Sequence, residues 1–329
     1  MSKNKISIII GLFAGLLLLG FWITAIDFEY LKNSFNRINP LFVIASGLSY
    51  ILAYFVRSCR WNLLLRNQIR LTYKESWLVS SAGNWINYLI PIRAGEFIKA
   101  ILIKKIRKAS AVSVLPSVFI DKFFDTVGIF LVLLLIPMMH VRLATPLKVL
   151  LVLLILVFVI LFGILILAAT HKKSITGILQ KVFSWLPIKI RNRINGLIEL
   201  FINGLNIFEH RRDIIIYALV LTSVGILLDG LYFYLLFRAF DHHPFFMIVL
   251  FGYTLINLSY ILPQPPAQLG SNEWMMLIIF SLGFGFDKNA ASSIMVFAHI
   301  FATFMITVLG IMGFSYAGVH SLKQINREL

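Results

Sequence analysis

The sequence predicts an all-α polytopic membrane protein built from inverted repeats, each carrying a broken re-entrant hairpin near the bilayer midplane. Three observations predict it. Of 329 residues, 59% are hydrophobic and only 13% are charged, whereas a soluble domain is about half apolar and a quarter charged. Mean hydropathy is +0.88, and the apolar residues cluster in runs near the roughly 20 residues that one helical pass requires. Two of those runs are interrupted by similar Pro, Gly and Glu patterns. No polar stretch of domain length is left over, which excludes a separate soluble catalytic domain. A net charge of +16 would indicate nucleic acid in a soluble protein, but in a membrane chain Lys and Arg mark cytoplasmic loops, so no nucleic-acid partner is expected. The one cysteine, Cys59, excludes an internal disulfide and any CxxC metal or redox motif.

The elements follow in order along a single integral membrane domain, 1–329. Residues 1–40 hold an anchor helix: MSKNK precedes an apolar run from Ile6 to Ile26, without the small-residue pattern of a cleaved signal. Further spans are expected at about 41–56, 112–137, 147–169, 214–238, 245–262 and 289–316, and broken segments at 76–105 and 264–286. With a cytoplasmic amino terminus, 22 of the 30 Lys and Arg fall on cytoplasmic segments and six outside, with Arg93 and Lys122 in the bilayer. That bias predicts both termini on the cytoplasmic side of the inner membrane. It holds only if 76–105 enters from the cytoplasm and returns there. The 174–212 stretch places Phe183 and Trp185 among Lys181, Lys189, Arg191 and Arg193, the composition of a surface helix pair on anionic leaflet lipids; a solvated linker is the alternative.

The two broken segments resemble each other. NYLIPIRAGE (Asn87 to Glu96) and SYILPQPPAQLGSNE (Ser259 to Glu273) share a Tyr, two aliphatics and a Pro, then Gly and Glu, and each is followed by a Lys-led small-residue run. This divides the chain into repeat 1 (41–137), a connecting span and amphipathic segment (138–212), repeat 2 (213–316) and a cytoplasmic tail (317–329). The preceding spans run in opposite directions, so the repeats are inverted. Inverted repeats with broken helices place a binding site at the midplane, where non-helical backbone lines a wet cavity. The plainer alternative is that Pro91 and Pro263 merely kink ordinary spans.

Ionisable residues inside the bilayer cost about 3 kcal/mol each at the centre, which makes Arg93, Glu96, Asp121, Lys122, Asp125, Asp229 and Glu273 candidates for function. Arg93 precedes a short helix from about Ala94 and Gly95 whose N-terminus suits a phosphate or carboxylate. A second short helix near Gly270, Ser271 and Asn272 would present another N-terminus from the opposite side. Glu96 and Glu273 are expected to cap these helices, and Tyr88 and Tyr260 flank the breaks. Asp121 and Asp125 share one helix face, with Lys122 in reach of Asp125; they either neutralise Arg93, relay protons or form a structural network. Asp229 is a proton site or a buried carboxylic acid, and His299 a titrating group or a packed hydrogen-bond partner. Trp61, Trp77 and Trp85 read as interface anchors or packing. No catalytic signature, cofactor motif or metal site is expected.

The segments RSCRWNLLLRN, GNWINYLIPIRAGEFIKAILIKK, FIDKFFDTVGIF and ILPQPPAQLGSNEWMMLIIFSLGF resemble, in order, the flippase-like membrane family typified by the transmembrane region of lysylphosphatidylglycerol synthase, the multiple peptide resistance factor. The resemblance implies movement of lipids across the bilayer, including aminoacylated phosphatidylglycerol, and for some members association with glycosyltransferases acting on polyisoprenoid lipids. It carries Arg93, Glu96, Asp121, Asp125, Gly270 and Glu273 over as matching motif positions. Asp121-Lys122 stands where the family often has Glu-Arg before its Asp, and QPPAQLGSNE diverges from the usual second break. These 329 residues hold no counterpart of the full synthase's aminoacyl-transferase domain, so synthase activity is not expected of them. The expected function is therefore flippase-like transport of an anionic or aminoacylated phospholipid or polyisoprenoid-linked lipid. The alternative is a non-transporting partner that docks a cytoplasmic glycosyltransferase or lipid synthase through 174–212.

Overall fold

The computed structural model describes residues 3–66, 68–90, 94–107, 109–134, 212–260 and 264–328, with scattered positions between 152 and 196. Its described elements are helices. Helix α1 (Lys3–Ile23) stops at a turn where Asp27 accepts hydrogen bonds from the Glu29 and Tyr30 N–H groups at 2.9 and 3.0 Å, starting α2 (Phe28–Phe35). This cap turns α2 through 91° from the apolar part of α1. Asn39 and Pro40 then open α3 (Pro40–Leu65), the asparagine as cap and the proline in the first turn, where its missing N–H has no intrahelical role.

Helices α4 (Tyr73–Leu89) and α5 (Gly95–Arg107) form a hairpin. Thr72 and Glu75 make a capping box at its start. Its far end comes at Ile90, extended at φ −116° and ψ 122°, because the ring of the following proline excludes the helical conformation there. At 1.5 Å per residue α4 is about 25 Å long and α5 about 20 Å, so neither crosses a hydrocarbon core of about 30 Å. The open end is closed by Arg107 of α5 pairing with Glu75 of α4, which puts both ends on the same side. A Cβ on Gly95 would overlap the Gly83 carbonyl oxygen, so the two backbones touch.

Helix α6 (Ala111–Leu133) follows, then α7 (Arg212–Ala239). A second hairpin pairs α8 (Phe246–Ser259) with α9 (Ser271–Met276), which continues into a π-helical turn over Leu277–Gly283. The Phe280 ring fills the space beside Gly252, and Tyr260 bonds Asn272 near the break. Between the arms, Ala267 and Gln268 adopt φ 53° and 58°, and Gly270 φ 75°. Helix α10 (Lys288–Glu328) completes the chain.

Helices α3 and α7 pack antiparallel, from Asn39 against Ala239 at one end to Arg60 against Thr222 at the other. Helix α10 lies antiparallel to α4, with Gly313 against Leu78 and Ala82 and Gly310 against Trp85. Among the described residues, α3, Asp213–Ala239 of α7 and Lys288–Gly318 of α10 are long and apolar enough to cross a membrane, and the bent α1–α2 pair makes a fourth candidate. Outward rows such as Leu41, Ile44, Leu48 and Leu52 are exposed, as lipid-facing residues are. Inside, Phe233, Phe237, Phe251 and Phe280 pack one core, and Trp61, Ile103 and Ile106 another.

Two placements correct the sequence reading. Helix α3 runs nine residues beyond the expected end at 56. Arg57 and Arg60 are therefore inside the bundle, and Lys99 is buried in the first hairpin; none of the three is a loop residue. Of the two roles expected for Trp61, interface anchor or packing, the structure shows packing, with the side chain fully buried. The expected span at 147–169, the 174–212 segment and both break prolines, Pro91 and Pro263, lie outside or largely outside the described residues.

Candidate functional site

Between the two hairpins lies a cavity of about 530 Å³, bounded by α3, α6, α7 and α10. One wall is charged. Arg57 forks onto Asp229, its two terminal guanidinium nitrogens donating to the two carboxylate oxygens. One turn further along α3, Arg60 donates to Asp121 Oδ1 at 2.8 Å, the Asp121 carbonyl at 3.1 Å, Thr222 Oγ1 at 2.9 Å and Asp125 Oδ1 at 2.5 Å. Lys122 bridges Asp125 and Glu96 at 3.1 and 3.2 Å, and Lys99 lies 3.1 Å from the other Glu96 oxygen, over the face of Trp61. Arg57, Arg60, Lys99 and Lys122 thus stand against Glu96, Asp121, Asp125 and Asp229, four charges of each sign. Burying a lone charge in low dielectric is prohibitive, and pairing with further hydrogen bonds is what makes this wall stable.

The other wall is aromatic and amide-rich. Tyr50, Tyr54, Tyr88, Tyr232, Tyr253 and Tyr260 all reach the cavity. Tyr88 bonds Thr303 and His299 of α10. His299 Nδ1 meets Glu273 Oε1 of α9, and Nε2 lies 2.7 Å from the Ala267 carbonyl.

The residues picked out by the sequence distribute as follows. Arg93 lies outside the described residues. Glu96, Lys122, Asp125, Asp229, Tyr88, Tyr260, Asn272 and His299 line the cavity together, while Asp121 backs it through Arg60. Among the described residues, neither glutamate side chain accepts from an N–H at the start of its helix. The Gly95 N–H is taken by Asn87 Oδ1 at 2.7 Å, leaving Glu96 to the lysines, and Glu273 turns to His299. Asn272 accepts from Tyr260 and donates to Gln268, and Ser271 donates to the Gln268 carbonyl. Gly270 lies against Gly15 and Leu18 of α1, and Trp274 donates to the Leu18 carbonyl.

Sequence reasoning missed Arg57, Arg60, Lys99 and Asn87. A signal for the first two existed: WNLLL after Arg60 continues the apolar pattern to Leu65, so a helix ending at 56 stops too early. Nothing local marked Lys99, whose burial depends on Gly83 leaving space for its stem.

Comparison with known proteins places these features in a family. A UPF0104 membrane protein of Methanothermobacter thermautotrophicus is 20% identical over 329 residues, covering 96% of each chain. A UPF0104 membrane protein of Methanocaldococcus jannaschii is 23% identical over 281 residues, 83% of each chain, and a second from M. thermautotrophicus 26% over 275 residues, 80% of each. No solved structure matches the chain. The model of the lysylphosphatidylglycerol synthase TM region matches residues 8–310, and the chain is a multi-pass membrane protein that belongs to that family.

Proposed function

We propose that this protein is a non-catalytic, flippase-like transporter that carries the polar headgroup of a membrane lipid through the cavity while the tails stay in the bilayer. The observation that carries the reading is the cavity itself, a space of about 530 Å³ lined in part by paired charges, tyrosines and amides and set among hairpins and spans whose outer faces are apolar. A purely structural ion network has no need of an adjacent open space, and the volume suits a small polar ligand. The antiparallel α3 and α7, each followed by a helical hairpin and a further helix, support two inverted repeats that rock about the site, with both termini cytoplasmic.

Because the charged wall is balanced, it favours a headgroup that offers both a phosphate to the arginines and an amine or hydroxyls to the carboxylates and tyrosines. Aminoacylated phospholipids and polyisoprenoid-linked sugars both meet that description. Arg93, three residues before Glu96 in the sequence, is the proposed phosphate contact. Proteoliposomes containing the full chain and a fluorescent lipid in both leaflets test this, using a membrane-impermeant quencher. Transport lets the quencher consume signal from the inner leaflet as lipid exchanges. Arg93→Ala should nearly eliminate it, and Arg93→Lys should restore it only partly, since an ammonium lacks the planar fork. Folded protein that moves none of phosphatidylglycerol, its lysyl ester, phosphatidylethanolamine or a polyisoprenyl phosphate would overturn the proposal.

A further inference from the structure

The charged wall ties up Asp125 and Asp229 with arginines, leaving Glu273 and His299 as a pair of titratable groups with no such partner among the described residues. Their geometry dictates how many hydrogens they hold. The Ala267 carbonyl only accepts, so Nε2 of His299, 2.7 Å away, carries a hydrogen. On the other side Nδ1 and Glu273 Oε1 are in hydrogen-bond contact. Two bare lone pairs would repel there, so a second hydrogen lies between them, on nitrogen or on oxygen. Glu273 is 4% exposed and its Oε2 has no hydrogen-bond partner, which opposes a full carboxylate charge at this place.

The surroundings of the pair are neutral. Tyr88 faces it from α4, Tyr260 from the end of α8, and Tyr232 of α7 bonds the Ala298 carbonyl beside it. From α1 come Gly15 and Leu18. Across the cavity stand Arg57, paired with Asp229, and Lys122, which bridges Glu96 and Asp125. The bonds of the pair reach three places at once: the left-handed Ala267–Gln268 turn of the second break, the first hairpin through Tyr88, and α10.

We infer that Glu273 and His299 form a proton-binding site whose shared hydrogen latches the second hairpin's break to α10 and to the first hairpin. Removing that hydrogen sets Nδ1 against Oε1 and releases the turn at Ala267, so the latch holds at lower pH and opens as pH rises. This reading is independent of whether the cavity carries lipid.

The test uses the full chain purified in detergent, with Cys59 replaced by Ser and a spin label at position 264 beside the break. The label is expected to gain mobility, and the thermal midpoint to fall, as pH is raised across the range where the protein stays folded. In Glu273→Gln the amide donates permanently to Nδ1, and both pH-dependent shifts should be lost while the low-pH midpoint is retained. Infrared spectra should show the carbonyl stretch of a buried protonated acid, or an imidazolium band lost in His299→Gln, that disappears as the label loosens. Should His299→Gln fail to fold, Glu273→Gln alone decides. The same pH dependence in Glu273→Gln as in the parent protein, or none in the parent, overturns the inference.

Discussion

Arg60 holds the carboxylates of Asp121 and Asp125 together with a backbone carbonyl and a hydroxyl, with only 1% of its side chain exposed. Arg60→Ala leaves the buried Asp121 and the half-buried Asp125 short of their partner, and losses of this kind cost up to about 3–5 kcal/mol. The expected outcome is a clear drop in the thermal midpoint of the detergent-solubilised protein. Arg60→Ala/Asp121→Asn should recover part of it, because the second change removes an unpaired charge. Asp229→Asn keeps an acceptor for Arg57 and should cost less, about 1.5–3 kcal/mol, the range of a hydrogen bond to a charged group. If that variant is instead as stable as the parent, the Arg57–Asp229 fork contributes little to folding. At this scale the sequence was informative about one member of each pair. Carboxylates in FIDKFFD and LLDGLYFYLL stand out against apolar neighbours, but the arginines that neutralise them are 61 and 172 positions away and sit next to a loop-like basic run.

The first hairpin shows how an element inside a membrane is terminated. Pro91 ends α4, Asn87 takes the first N–H of α5, and the absence of a side chain at Gly95 lets the returning helix lie on Gly83. Gly95→Ala should separate the two arms and cost about 1–3 kcal/mol, the usual penalty of overpacking. It should also loosen the Glu75–Arg107 contact at the open end. Gly20 of α1 has nothing within 4 Å of an added Cβ, so Gly20→Ala should leave stability unchanged or raise it by up to about 1 kcal/mol through helix propensity. Comparing the two by thermal unfolding separates steric contact from propensity. If Gly95→Ala behaves like Gly20→Ala, the backbone contact is not what holds the hairpin. The Pro, Gly and Glu of this break were visible as a motif. Their division of labour was not, since capping by Glu96 was the simplest local expectation, and of the two lysines that claim it Lys99 follows on the same helix while Lys122 comes from α6.

For the whole molecule, the paired ends of the first hairpin and the antiparallel α3 and α7 require specific sidedness. With Cys59 replaced, single cysteines at Gln68 and Lys105 should react with an impermeant thiol reagent from one side of the membrane, and cysteines at His243 and Asp287 from the other. The basic-residue distribution is the reason to expect the first side to be cytoplasmic. The placement of Arg57 inside the bundle and the burial of Arg60 and Lys99 remove three residues from that count, and the remaining segments expected to be cytoplasmic still carry most of the Lys and Arg. Labelling of positions 68 and 105 from opposite sides would break the hairpin topology and with it the proposed midplane site.

By itself the sequence determined that this is a helical membrane protein, roughly where most of its described helices begin and end, and which two segments are broken. These are one-dimensional properties: apolar run length against bilayer thickness, proline and glycine punctuation, and charge that hydrocarbon tolerates poorly. The tertiary structure decided where α3 ends in space, which cation answers each buried carboxylate, and that Glu273 meets His299 instead of a helix terminus. Those choices depend on side chains from α3, α5, α6, α7, α9 and α10 converging on one cavity. Inside a low-dielectric bundle the partner of a charge is set by which opposite charge packing brings within reach, and that distance is unrelated to separation along the chain.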